Sequence, residues 1–221
     1  KELLDAQHAL RLEMEAEPVD FLARTLPDRW NVAIDAVADF LGADREGTVF
    51  VPNATSGINA VIASVDWARG DEILTINHRY DAVRRTLDHA AARFGVSVVE
   101  AQVPFPLHSP EQVTAAVTAS LSEKTRMLVI DQITSPTALI TPVQALVDLA
   151  RERGILVLVD GAHAPGHIDV NLDQLSPDFW VGNLHKWLCA PKGAAVLYVA
   201  EPWRSIVHPN SISHGYGQGL H

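Results

Sequence analysis

The order of apolar and polar positions divides the chain at Gly42. Before it, the spacing is helical. Leu3, Leu4, His8, Leu12 and Glu15 fall near one stripe over residues 1–16, and Pro18 ends the pattern. A second helix is predicted from about Pro27 to Leu41, with Trp30, Ile34, Val37 and Leu41 on one face and Gly42 as its stop.

After Gly42, short β-branched or apolar runs alternate with helical stretches. Strands are predicted at Thr48–Val51, Glu72–Ile76, Val96–Val99, Arg126–Ile130, Ile155–Val159, Phe179–Val181 and Ala194–Val199. Helices are predicted at Ile58–Val65, Asp81–Phe94, Glu111–Leu121 and Pro142–Arg153. The run Ile155–Val159 is apolar throughout, as in a parallel strand covered on both faces. Strands joined mostly by helical crossovers place the chain in the α/β class. The expected architecture is a mostly parallel seven-stranded sheet with helices on both faces. The sequence has no internal repeat and no low-complexity segment. From Pro202 to His221 it carries Pro, Ser, Gly and His without a clear period.

Composition narrows the partners. The chain has 221 residues, 48% hydrophobic and 20% charged, which fits one large domain or a domain with an appendage. The net charge of −10 argues against a nucleic-acid backbone as main partner, although not against one small anion held locally. No apolar run approaches the roughly 20 residues of a membrane span. The single Cys189 cannot form an internal disulfide, so a reducing cytoplasm is expected. The lack of a targeting segment is weaker evidence of location, because the first residue is Lys and not Met.

In open α/β sheets, ligands bind outside the carboxyl ends of the strands. Polar residues follow five of the predicted strands: Asn53-Ala54-Thr55-Ser56-Gly57, Asn77-His78-Arg79-Tyr80, Asp131-Gln132 with Thr134 and Ser135, Asp160 with His163 and His167, and Asn183 with His185 and Lys186. Thr55-Ser56-Gly57 at a helix start offers free N–H groups to a phosphate. Taken alone, a simple N-cap by Thr55 or Ser56 is the commoner reading. Asp160 ends an apolar run, so its carboxylate needs a positive or donor partner. A metal shared with His163 and His167 is disfavoured by the intervening Pro165 and Gly166, and for this residue alone a satisfied structural Asp wins. Lys186, amid apolar neighbours, is either a desolvated nucleophilic amine or an ordinary snorkelling lysine. The combination is more specific than its parts. A phosphate cradle, a carboxylate for a ring nitrogen and an amine at a buried edge are what pyridoxal phosphate requires.

At this point the sequence resembles the class V branch of the fold-type I pyridoxal-phosphate enzymes, the class V aminotransferase family. The motifs are Val159-Asp160-Gly161-Ala162-His163-Ala164-Pro165-Gly166 and Asn183-Leu184-His185-Lys186-Trp187-Leu188, followed by Pro191-Lys192-Gly193. Within it the chain is most similar to the isopenicillin N epimerase-like branch, related to cysteine desulfurases, over about residues 20–200. The resemblance implies a large cofactor-binding domain at 21–203, an N-terminal helical segment at 1–20, and the start of an incomplete C-terminal region at 204–221. It casts Lys186 as the lysine joined to the cofactor and Asp160 as the partner of the pyridine nitrogen. His163 falls near the ring's phenolic oxygen. Tyr80 stacks on the ring face, with His78 as runner-up. Thr55 and Ser56, with the Ala54–Ser56 backbone, cradle the phosphate, and Asn183 and His185 form its other side. Thr134 or Ser135 lies near the ring's oxygen. It further implies a homodimer with the site at its interface, to which the Gly215-Tyr216-Gly217 turn could contribute.

The chain departs from the family in two places. The smaller C-terminal domain and its arginine for the substrate carboxylate are not in the sequence; Arg204 is the only Arg after residue 203 and is not assigned that role. Cys189 lies too near Lys186 to match the desulfurase nucleophile and reads as a small packed residue. The expected activity is at the α-carbon of an amino acid, epimerase- or racemase-like, with C–S lyase or aminotransferase chemistry as alternatives. A non-catalytic truncated cofactor-binding domain is the rival from another class. A hydrolase fits poorly, since Ser56 lacks the Gly-x-Ser-x-Gly setting. A metal site fits poorly too, since the 10 His residues are scattered.

Overall fold

The computed structural model describes residues 1–214, 216 and 217. Gly215 of the turn named above lies outside the described residues. In chain order the elements are α1 (Glu2–Ala16), α2 (Pro18–Asp20), a π-helical turn (Phe21–Thr25), α3 (Leu26–Leu41), β1 (Thr48–Val51), α4 (Ala54–Ser64), β2 (Glu72–Ile76), α5 (Asp81–Phe94), β3 (Ser97–Ala101), α6 (Glu111–Ser120), β4 (Thr125–Asp131), α7 (Val143–Glu152), β5 (Leu156–Asp160), α8 (Leu172–Leu175), β6 (Phe179–Asn183) and β7 (Ala195–Val199).

The seven strands form one sheet in the order β1-β7-β6-β5-β4-β2-β3. The run β6-β5-β4-β2-β3 is parallel throughout, whereas β7 runs antiparallel to both β6 and β1. The expected mostly parallel seven-stranded sheet is what forms. Side-chain alternation along the strands builds two cores. Leu156 and Leu158 of β5 face a core made with Ile58 and Val61 of α4 and Val83 and Leu87 of α5. Val157 and Val159 face the opposite core, with Val113 of α6, Leu146 and Val147 of α7, and Leu172 of α8. Helices thus cover both faces, and the central strands β5 and β6 are buried along their whole length.

Two close approaches set the geometry near the carboxyl ends of the strands. A Cβ on Gly57 would lie 2.7 Å from Val181 Cγ1, so glycine lets the first turn of α4 press onto β6. A Cβ on Gly182 would lie 2.2 Å from the Trp180 ring, which is fully buried and donates its indole N–H to Gln132 Oε1 at 3.0 Å.

The N-terminal region differs from expectation. Helix does not resume at Pro27 but at Pro18, and it continues through the π-helical turn into α3. The predicted stripe of α1 is not a core face: the helix buries no residue, and Leu4 is 66% exposed. An exposed ion pair between Glu13 and Arg29 ties α1 to α3. On α3 the buried residues are Ile34, Ala38 and Leu41, while Trp30 is 46% exposed and packs edge-on against Phe50. Gly42 ends α3 as predicted, in the left-handed conformation at φ 53°.

Candidate active site

Each of the parallel strands β2, β4, β5 and β6 delivers polar side chains at its carboxyl end, and these meet in one cleft. Its lining is Ala54 and Thr55 from α4, Tyr80 at the start of α5, Asp131, Ile133 and Ser135 after β4, Asp160, Ala162 and His163 after β5, and Asn183 and Lys186 after β6. The cleft is narrow, with about 20 Å³ of free volume, and its walls are mostly polar. Lys186 and Asp160, singled out from separate sequence segments, face the same space.

Asp160 is buried, and its Oδ1 accepts the Ala162 N–H at 3.0 Å. Burial pushes its carboxyl above the usual range, against the pull of that N–H and of Lys186. Asp131 is its direct register partner on β4. Burial and the neighbouring Asp160 push the Asp131 carboxyl well above the usual range, and the backbone N–H groups of Tyr80 and Ser135 only partly oppose this. Among the described residues, Asp131 Oδ1 is buried without a hydrogen-bond partner. No role was read for Asp131 in the sequence, although it ends the apolar run Met127–Ile130 just as Asp160 ends Leu156–Val159.

Lys186 Nζ lies 3.0 Å from His163 Nε2, and His163 Nδ1 accepts the Trp187 indole N–H at 3.2 Å. Burial lowers the basicity of Lys186 despite the attraction of Asp160 and Asp131. Burial also lowers that of His163, followed by the charges of Lys186 and His167. The His167 ring packs at a tilt of 46° against Trp187, with ring centroids 4.7 Å apart. Among the described residues no three His, Cys, Asp or Glu side chains are placed to hold a metal ion.

The start of α4 is capped differently from expectation. The N-cap is Asn53 rather than Thr55 or Ser56. Its Oδ1 accepts the Ser56 N–H at 2.8 Å and the Ser56 hydroxyl at 3.1 Å. Asn183 Oδ1 takes the Ala54 N–H at 2.9 Å. Of the three N–H groups in this first turn, only that of Thr55 has no acceptor among the described residues. Ser56 therefore does not line the cleft; it faces a separate, larger cavity of about 650 Å³ against residues 207–211.

The remaining candidates divide. Tyr80 forms a cleft wall and is 44% exposed. His78 does not line the cleft: it is buried, with its ring nitrogens bonded to Thr137 Oγ1 and Val103 O. Thr134 is held within its own turn by Thr137 Oγ1 and the Leu139 N–H, and Ser135 lines the cleft instead. His185 is not in the cleft lining, yet its Nδ1 is buried and lacks a partner among the described residues. Arg204 is committed to Asp44 and to Val199 O. Cys189 is exposed rather than packed.

The family model described as aminotransferase class V matches residues 22–215. The chain belongs to that family. It aligns with relatives of more than one activity. It is 39% identical to isopenicillin N epimerase of Amycolatopsis lactamdurans over 94% of this chain and 53% of that protein. It is 34% identical to putative L-cysteine desulfhydrase 1 of Oryza sativa subsp. japonica over 99% and 49% respectively. The chain thus spans about half the length of the curated relatives it matches. Its fold is that of a cystine C–S lyase solved with cysteine persulfide, with a TM-score of 0.87 and 23% identity, covering 96% of this chain and 57% of that one. A variant of that lyase with glycine covalently linked to its PLP cofactor gives a TM-score of 0.86 at 22% identity, over 96% and 56%. Class V aminotransferases are pyridoxal-phosphate dependent.

Proposed function

We propose that this class V chain is the cofactor-binding part of a pyridoxal-phosphate enzyme that acts at the α-carbon of an amino acid, with epimerisation as the favoured outcome. The observation that carries the reading is the shared cleft of Lys186 and Asp160, an amine of lowered basicity opposite a buried carboxylate. The donor set fits the cofactor. Among the described residues the Thr55 N–H at the helix start has no acceptor and suits an anion, and the cleft walls are polar rather than packed hydrocarbon.

When bound, pyridoxal phosphate supplies an electron-withdrawing ring that stabilises negative charge at the substrate's α-carbon. Lys186 would supply the amine that holds its aldehyde carbon. The same Lys186 amine would be the base that takes the substrate's α-proton. Asp160 presents negative charge to a ring nitrogen. Tyr80 offers an aromatic wall for a flat heterocycle. His163 holds the Lys186 amine at one edge, and Asn183 fixes the first turn of α4 through the Ala54 N–H. Ser135, which lines the cleft, would serve the ring's oxygen in place of Thr134.

A C–S lyase is the second reading, favoured by the L-cysteine desulfhydrases among the relatives. The two outcomes differ in whether a proton returns to the α-carbon or a β-substituent leaves. The reading includes 21–203 as the cofactor-binding domain, 1–20 as a helical arm, a homodimer and a cytoplasmic setting. No helix among the described residues is long and apolar enough to cross a membrane.

The test is a screen of D- and L-amino acids and thioether amino acids in deuterated water, using the protein loaded with the cofactor. Deuterium at the α-carbon with inversion supports the epimerase. Release of a sulfur leaving group supports the lyase. Cofactor binding with neither exchange nor release would reject both and leave a non-catalytic domain.

A further inference from the structure

Trp187, His163 and Lys186 form a chain of hydrogen bonds along one wall of the cleft. Trp187 Nε1 lies 3.2 Å from His163 Nδ1, and His163 Nε2 lies 3.0 Å from Lys186 Nζ. An indole N–H is a donor only. His163 Nδ1 must therefore accept, through its lone pair. A neutral imidazole in that arrangement carries its proton on Nε2. That N–H donates in turn, and its partner at 3.0 Å is Lys186 Nζ. An ammonium has three donors and no lone pair, so only the unprotonated amine can accept.

We propose that Trp187 is a positioning residue: by holding the His163 proton on Nε2, it keeps the Lys186 amine in its neutral, nucleophilic form. The consequence for catalysis rests on Lys186 being the cofactor lysine, because a neutral amine is the form that attacks an aldehyde. The hydrogen-bond logic stands without that reading. Without the indole donor, His163 is free to carry its proton on Nδ1. Nε2 then becomes an acceptor, and an ammonium at Lys186 gains a partner.

The surroundings set what this device works against. Asp160 from β5 and Asp131 from β4 favour the ammonium, and Arg79, after β2, offsets Asp131 in part. His167 stands behind His163 and disfavours a second positive charge there. Tyr80 is the remaining titratable wall of the cleft. Burial disfavours charge on both Lys186 and His163, in the same direction as the tautomer. Trp187 itself is 53% exposed, so its ring is not a core element.

The experiment uses the full chain after removal of cofactor. Lysines are acylated competitively with acetic anhydride across a range of pH, and Lys186 is followed by mass spectrometry with Lys124 as internal reference. Trp187→Phe keeps an aromatic ring against His167 and removes the donor. It is expected to cut the relative reactivity of Lys186 near neutral pH by about tenfold, equivalent to about one pH unit in its titration. An unchanged Lys186 profile in Trp187→Phe would overturn the proposal. Nitrogen-15 NMR of the unsubstituted chain gives an answer that does not depend on the variant folding. A protonated Nε2 and a bare Nδ1 in His163 are expected, and a proton on Nδ1 would refute the assignment. Neither readout involves the cofactor. If Lys186 were reactive yet never joined the cofactor, the functional reading would fail while this one stood.

Discussion

Asp131 and Asp160 sit side by side at the ends of adjacent parallel strands, and both are buried. Two like charges in that position repel strongly and burial raises both carboxyls, so the pair favours keeping a proton; Asp131 is placed to carry it, because Asp160 accepts the Ala162 N–H and is drawn toward ionisation by Lys186. The folded chain therefore binds that proton more tightly than the unfolded chain does. This contribution is intact below the ordinary carboxylate range and is lost as pH rises toward the elevated folded value. Asparagine mimics the neutral acid and cannot ionise. The melting temperature of Asp131→Asn, measured against the parent, should gain steadily as pH rises above the ordinary carboxylate range of about 4. A difference that stays flat with pH would show that Asp131 is already ionised in the folded chain. Asp131 was as legible as Asp160, because each ends an apolar run; only Asp160 stood inside a recognisable motif, and so only Asp160 received a role.

At the scale of elements, the cleft depends on how α4 is anchored. Asn53 caps the helix from within its own segment, and Asn183 reaches across from β6 to a second N–H. Asn53→Ala should lower stability by about 1 kcal/mol in denaturant titration, the usual cost of a lost N-cap. It should also weaken cofactor affinity, because the first turn carries the Thr55 N–H. Unchanged affinity would mean that this turn does not hold the phosphate. The sequence showed a polar, glycine-bearing helix start but misplaced its cap. Periodicity locates a helix face well and its first residue poorly, and Asn53, Thr55 and Ser56 are all competent caps. The same limit explains Ser56 and Thr134. Each was rightly placed after a strand, but a one-residue change in register decides which side chain faces the cleft. The reversal of β7 had a readable sign, since 184–194 carries no helical pattern for a parallel crossover. The Trp187–His163 contact had none, because it joins segments that meet only in the folded chain.

The whole molecule joins a legible half to an arm that follows other rules. From β1 to β7, alternation of strand and helix specified the sheet, its two cores and the edge at which polar groups gather. Before Gly42, helical spacing predicted a one-sided stripe on α1, and the helix lies outside both cores, tied by the Glu13–Arg29 pair, which is exposed. An amphipathic pattern shows that a helix has an apolar side, not that this chain covers it. The functional account rests on Lys186 and the cleft it shares with Asp160. The most direct measurement adds pyridoxal phosphate, reduces with borohydride, and maps the modified lysine by mass spectrometry. The account expects a visible absorbance band that disappears on reduction, with the cofactor fixed to Lys186 and no band in Lys186→Ala. Cofactor fixed at another lysine, or a band that survives in Lys186→Ala, would contradict it.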